Sequence, residues 1–203
     1  MNGKRLLFVL LFLLSGCGSD NDNASGRPDE MRFDVDQDLL GEVIVSNDSG
    51  LTFQPPKQWS RITGRLYDEA FDQLTRGQTD TNRFTVIPRY IFLNHHNGSA
   101  MILSEVEPGV EMPVADDIVT VFRAHLSEGF DDKDYTETEF LKDGTLYYQY
   151  LTQTDGMVNF KFLFLNSYDV LYQLDYVVPN AVYAAESKAI ESSIGSIQIN
   201  NEE

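Results

Sequence analysis

Three stretches near the C-terminus, Thr145–Thr152, Met157–Asn166 and Val170–Val178, constrain the fold of this chain more than any other feature. Each is rich in Tyr, Phe, Val and Leu, residue types that fit a pleated, half-buried surface. The connections between them are too short for a crossover, and parallel neighbours need one of roughly a dozen residues or more. Antiparallel pairing is therefore expected. In the middle stretch Val158, Phe160, Phe162 and Phe164 share one face while Leu163 and Leu165 occupy the other, so both faces of the sheet should be covered.

The residues before this meander alternate strand and helix signals in a legible order. Val43-Ile44-Val45 and Leu51-Thr52-Phe53 flank a polar turn and read as a hairpin; Pro55-Pro56 stops its second strand, and Trp59 follows as a core plug. Tyr67, Ala70, Phe71 and Leu74 stand at helical spacing before Gly77. A second hairpin joins Phe84–Leu93 to Ala100–Val106 through Asn94-His95-His96-Asn97-Gly98, and Pro88 inside its first strand predicts an edge or a bulge. Pro113, Asp116 and Asp117 open a helix carrying the stripe Ile118, Val121, Phe122 and His125 up to Gly129. A last helix from about Asn180 aligns Val182, Ala185, Ala189, Ile190 and Ile194, and Gly195 releases the chain into Ser196–Ile199. The class is α+β, an antiparallel sheet packed by helices on both faces.

The first seventeen residues say where such a domain would sit. Lys4 and Arg5 precede nine consecutive apolar residues, Leu6 to Leu14. A bilayer-spanning helix needs about 20 such residues, whereas a basic start followed by a short apolar run describes a secretory signal. The run ends in Leu14-Ser15-Gly16-Cys17, which holds the one Cys of the chain and resembles the lipobox of bacterial lipoproteins. That resemblance implies a signal peptide over residues 1–16 and a Cys17 whose thiol receives a diacylglycerol, with acyl chains as the membrane anchor. Gly18 stands where many inner-membrane lipoproteins have Asp, so by the same resemblance the outer membrane is expected, on its periplasmic face or at the cell surface.

Residues 17–41 are expected to be a flexible acidic linker, in which acids outnumber bases seven to two from Gly18 onward, and residues 42–203 a single domain. Asp34-Val35-Asp36-Gln37-Asp38 has the alternate-acid spacing of a calcium loop, but Leu39 and Val45 occupy the positions where an EF-hand needs Gly and Glu.

The folded portion resembles the Mog1/PsbP-like superfamily. Gly50-Leu51-Thr52-Phe53-Gln54-Pro55-Pro56-Lys57-Gln58-Trp59 looks like that family's strand ending in Pro-x-x-x-Trp, and the tail from Val178-Pro179 through a helix to Ser193-Ile194-Gly195-Ser196-Ile197 is similar as well. The resemblance implies an α/β/α sandwich and a binding or assembly role, since members include photosystem extrinsic subunits, a nuclear-transport cofactor and bacterial lipoproteins.

Charge and motifs narrow the function classes further. With 15 Lys+Arg against 32 Asp+Glu, a formal charge of −17, the chain lacks the basic surface that drives nucleic-acid binding by counterion release. It carries no Gly-x-Ser-x-Gly, no Ser-x-x-Lys and no phosphate-binding glycine loop. Lipidation would consume the thiol of Cys17. His125 falls on an apolar helical stripe, and His95-His96, flanked by Asn and Gly, reads as the polar tip of a hairpin rather than a metal site, because adjacent strand residues point to opposite faces. The acid pairs Asp116-Asp117 and Asp131-Asp132 read as helix-start and loop residues.

The expectation is thus a non-enzymatic, lipid-anchored envelope protein without a cofactor, whose domain binds an envelope protein partner or supports assembly. Small-ligand or lipid binding between sheet and helices is one alternative; a hydrolytic or metal-dependent enzyme using His95 or His96 is the other. The aromatic residues crowding the meander are expected to fill the core, since a half-buried sheet surface selects them; the alternative is that Tyr148, Tyr150, Tyr172 and Tyr176 face outward as a contact surface, because Tyr is enriched at interfaces.

Overall fold

Asp143 and Gly144 sit at φ 51° and 78°, and this two-residue turn pairs Lys142 with Thr145. Asp-Gly is the residue pair that such a tight hairpin demands, because both positions need positive φ and the resulting twist matches that of the strands. The turn opens the meander in the computed structural model, which describes residues 28–76, 83–109, 117–129, 135–154 and 156–200. Cys17, Gly77, Pro113, Asp116, Asp131 and Asp132 lie outside the described residues.

In chain order the elements are β1 (Ile44–Ser46), β2 (Leu51–Phe53), β3 (Ser60–Arg61), α1 (Arg65–Thr75), β4 (Phe84–Leu93), β5 (Ala100–Pro108), α2 (Ile118–Glu128), β6 (Tyr135–Lys142), β7 (Thr145–Thr154), β8 (Met157–Leu165), β9 (Leu171–Pro179), α3 (Tyr183–Gly195) and β10 (Gln198–Ile199). Among the described residues the strands form a seven-stranded sheet in the order β3-β4-β5-β9-β8-β7-β6 and a three-stranded one in the order β1-β2-β10. Every neighbouring pair is antiparallel, as the short connections require. β6, to which the sequence reading assigned no strand, is the outermost member of the meander. Among the described residues no helix is long and apolar enough to cross a membrane.

The alternation along β8 and β9 sends side chains into two separate apolar clusters. Phe160, Phe162, Phe164, Tyr172, Leu174 and Tyr176 gather with Phe53, Trp59, Phe92 and Met101, and with Ile190 and Ile194 of α3. Leu163, Leu171 and Tyr150 gather with Phe84 and Val106, and with Val119 and Phe122 of α2. Trp59 is 4% exposed, and its indole N–H donates to Glu186 of α3 at 3.1 Å, so it does plug the core. The proline in β4 produces a register shift between Pro88 and Tyr90, the bulge its missing N–H foretells.

Two boundaries differ from expectation. The spacer expected to run to Gly41 is docked well before it: the Met31 N–H donates to the Leu141 carbonyl at 2.7 Å, the Leu141 N–H to the Asp29 carbonyl at 2.9 Å, and Met31 and Phe33 pack against the first cluster. Met31-Arg32-Phe33-Asp34-Val35 alternates apolar and charged residues, which suits an extended strap lying on an apolar surface, and the acids around it mask that signal in composition alone. The acids of the rejected calcium loop serve local structure: Asp36 caps a 3-10 turn by accepting from the Asp38 N–H, and Asp34 pairs with Lys188. The second difference is α1, whose apolar stripe forms a helix without any fully buried residue; Leu66 is 56% exposed and Leu74 40%. Its main polar anchor to the sheet is the Tyr67 hydroxyl, which donates to the Pro88 carbonyl at 2.6 Å.

Candidate functional site

The three central strands bring a row of polar side chains together on the α2 side of the sheet. Ser104 of β5 is paired with Gln173 of β9, and Asp175 of β9 with Lys161 of β8. Side chains two apart on a strand share a face, so Gln173 and Asp175 stand side by side with Ser104 and Lys161 flanking them. The Lys161 ammonium donates to Asp175 Oδ1 at 2.5 Å, and the Gln173 amide donates to Asp175 Oδ2 at 2.6 Å. Both carboxylate oxygens of Asp175 are thereby engaged, which balances the charge of a pair whose side chains are 19% and 17% exposed.

These four residues form the floor of a cleft of about 360 Å³. Its walls are apolar: Val86 and Pro88 of β4, Ile102 of β5, Leu74 of α1 and Phe122 and Leu126 of α2. A second, shallower hollow of about 450 Å³ adjoins it past His125, and Lys161 borders both. The cleft lies between α1, whose Tyr67 hydroxyl donates to the Pro88 carbonyl, and α2, and among the described residues the helix side chains that line it are Leu74, Phe122, His125 and Leu126. Apolar walls around a few convergent polar groups are the usual form of a ligand site, and such sites occupy about 300–1,000 Å³. On the opposite face, a smaller apolar cavity of about 240 Å³ lies between α3 and the docked strap, lined by Met31, Phe33, Phe160, Phe162, Ile190 and Ile194 among others.

The proposed tyrosine surface is overturned by burial and by register. Tyr150, Tyr172 and Tyr176 are 0%, 2% and 0% exposed. Tyr172 and Tyr176 belong to the cluster on the α3 side, whereas Tyr148 and Tyr150 lie on the α2 side, so the four share no patch. Burial pushes the hydroxyls of Tyr147, Tyr150 and Tyr176 above the ordinary tyrosine range. Tyr148 is half-buried beneath the Arg123 guanidinium, 3.8 Å from its ring centroid. Partial burial lowers the pKa of Arg123, but hydrogen bonds to Glu137 and Tyr150 outweigh this and raise it. That network holds α2 against β6 and β7.

The histidines do not converge. His95 and His96 are exposed at the β4–β5 tip, where the His96 N–H donates to Asn94 Oδ1 at 3.0 Å. The tip is fastened to α3 by the Asn94 and Asn97 amides, which donate to Glu186 Oε1 at 3.2 and 2.6 Å. His125 is half-buried at the cleft with its ring 5.6 Å from Phe84 and 6.2 Å from Phe122. Among the described residues no group of three or more His, Cys, Asp or Glu could hold a metal ion.

The residues that sequence reasoning passed over are Ser104, Lys161, Gln173 and Asp175. Their signal was present: a Lys and an Asp interrupt apolar strands at positions that a β8–β9 hairpin pairs directly, on the face that also carries Leu163 and Leu171. An ion pair on a covered face asks to be explained, where an exposed one does not.

No protein-family model matches the chain, and no curated protein matches it in sequence. Among solved structures it is similar to cyanobacterial PsbP (CyanoP) from Synechocystis sp. PCC 6803, with 11% identity and a TM-score of 0.46 over 78% of this chain and 91% of that one.

Proposed function

We propose that this protein is a lipid-anchored component of the bacterial envelope, held at the outer membrane through Cys17, whose domain acts by binding rather than by catalysis. The domain is read as an α/β/α sandwich of Mog1/PsbP-like type, a reading supported by the division of its core into an α3-side and an α2-side cluster. The observation that carries the binding role is the cleft between α1 and α2, with its floor of Ser104, Lys161, Gln173 and Asp175 under apolar walls. Asp175 is held by two donors, one on each carboxylate oxygen, which suits it to organise a recognition surface.

The occupant that best fits about 360 Å³ is a small molecule. A partner protein inserting a side chain, in an assembly role, is the second reading; it is favoured by the exposure of Leu66 and Leu74 along α1, Leu74 standing at the rim of the cleft.

Two measurements test the proposal. Cys17→Ser should release the protein from the membrane fraction and abolish incorporation of labelled palmitate; a variant that stays membrane-bound refutes the anchor. Native mass spectrometry of the protein purified from envelopes should show a retained small molecule that Ile102→Trp, which fills the cleft, eliminates. Identical spectra for both would refute the cleft as the binding site.

A further inference from the structure

The cleft floor retains a definite set of unmet hydrogen-bonding groups. Gln173 is 7% exposed and its amide nitrogen donates to Asp175; among the described residues no donor reaches its carbonyl oxygen. Ser104 is 2% exposed, and its hydroxyl has no hydrogen-bond partner among the described residues. The Lys161 ammonium uses one of its three N–H groups on Asp175. A guest therefore meets spare donors on Lys161 and Ser104 and spare acceptors on Gln173 and Ser104, all beneath Ile102, Phe122 and Leu126.

Charge then selects among guests. A carboxylate could accept from Lys161, but it would approach the Asp175 carboxylate and leave the Gln173 carbonyl unpaired. An ammonium would satisfy Gln173 but crowd Lys161. Leaving a buried polar group unpaired costs more than a new hydrogen bond returns. A primary carboxamide meets both demands, since its oxygen accepts from Lys161 or Ser104 while its NH₂ donates to Gln173. Its body must be apolar to cover the walls.

We propose that the cleft between α1 and α2 binds an uncharged small molecule with a carboxamide head and an apolar body, read by Ser104, Lys161 and Gln173. This rests on the binding role given to the cleft above and goes further by naming the head group.

The test uses the full lipidated chain in lipid nanodiscs, titrated with 3-phenylpropanamide, 3-phenylpropanoate and 3-phenylpropylamine and followed by saturation-transfer NMR, with empty nanodiscs subtracted. The amide should bind at least about tenfold tighter than either charged probe. Ser104→Ala and Gln173→Leu should each weaken it about fivefold, the equivalent of one hydrogen bond. Ile102→Trp should abolish the signal; because that variant could misfold, the two milder substitutions carry the conclusion. A charged probe binding as tightly as the amide, or an amide affinity unchanged in both Ser104→Ala and Gln173→Leu, would overturn the head-group assignment while leaving cleft binding intact. Absence of a signal with all three probes would also overturn it, and the cleft would then stand or fall on the ligand retained from envelopes.

Discussion

Substituting Gly195 by Ala probes whether the acidic segment before the domain belongs to the fold. Gly195 ends α3, and the strap crosses directly over it: a Cβ built there would lie 2.6 Å from Val35 Cγ2 and 2.7 Å from Phe33 Cβ. Carbon atoms in good contact stand about 3.5–4.0 Å apart, so the strap would have to retreat by about 1 Å. Phe33 Cβ is fixed to the backbone and cannot swing aside as a side-chain tip could. Overpacking of this kind costs about 1–3 kcal/mol. Releasing the strap instead would forfeit three hydrogen bonds, Met31 N–H to Leu141 O, Leu141 N–H to Asp29 O and Asp36 N–H to Ser192 Oγ, each contributing about 1 kcal/mol, together with the Phe33–Phe140 ring contact at 5.8 Å. Replacing Gly by Ala in a helix returns at most about 1 kcal/mol, and less at its last residue. The expected net loss is about 1–2 kcal/mol, a fall in Tm of about 2–8 °C for a chain of this size. Urea denaturation gives the stability, and amide hydrogen exchange locates the effect: exchange at Met31 and Leu141 should accelerate while Leu174, in the central strand, keeps its protection relative to global stability. A variant as stable as the parent with unchanged exchange at Met31 would refute the packing of the strap on α3.

Three further outcomes are expected. Glu186→Ala should cost about 2–4 kcal/mol in chemical denaturation, because it leaves the Trp59 indole and the Asn94 amide, 4% and 1% exposed by residue, without their acceptor. Ser99→Ala should be neutral or stabilising by up to about 1 kcal/mol in the same assay, since the Ser99 hydroxyl is buried and has no partner among the described residues. Stability should also fall with alkali. Burial raises the folded-state pKa of Tyr147, Tyr150 and Tyr176, so their contribution is fully present below the unfolded tyrosine pKa of about 10 and is lost as pH climbs above it. Tyrosinate absorbance should therefore rise together with the loss of far-ultraviolet ellipticity, and for Tyr176→Phe, which removes one such group, the transition should move to higher pH.

Three strands of the meander, β7, β8 and β9, were legible because they are rich in aromatic and aliphatic residues and joined by connections too short for any but antiparallel pairing. The helices α2 and α3 were legible from their stripes and their glycines. β6 was not: Thr-Glu-Thr-Glu dilutes its apolar signal, since an outermost strand needs few apolar residues, and Asp143-Gly144 was the local cue to it. The strap escaped notice for a related reason, because the energy that orders Met31 and Phe33 comes from residues more than a hundred positions away. The core reading of the meander's aromatics held for Tyr150, Tyr172 and Tyr176, and the alternative of a contact surface at Tyr148, Tyr150, Tyr172 and Tyr176 failed because residue type alone leaves open which faces are covered.

By itself the sequence determined the α+β class, the antiparallel pairing, the plugging role of Trp59 and the place of His95 and His96 on a polar tip, all of which follow from local pattern and chain geometry. Tertiary structure decided which side chains meet. Lys161 and Asp175 become a pair, and Ser104 and Gln173 their neighbours, once β5, β9 and β8 align in one register. The floor becomes a cleft because α1 and α2 settle apart over it. Periodicity assigns a residue to a face, but the neighbours it meets there depend on contacts between distant segments, whose free energies a local pattern does not contain.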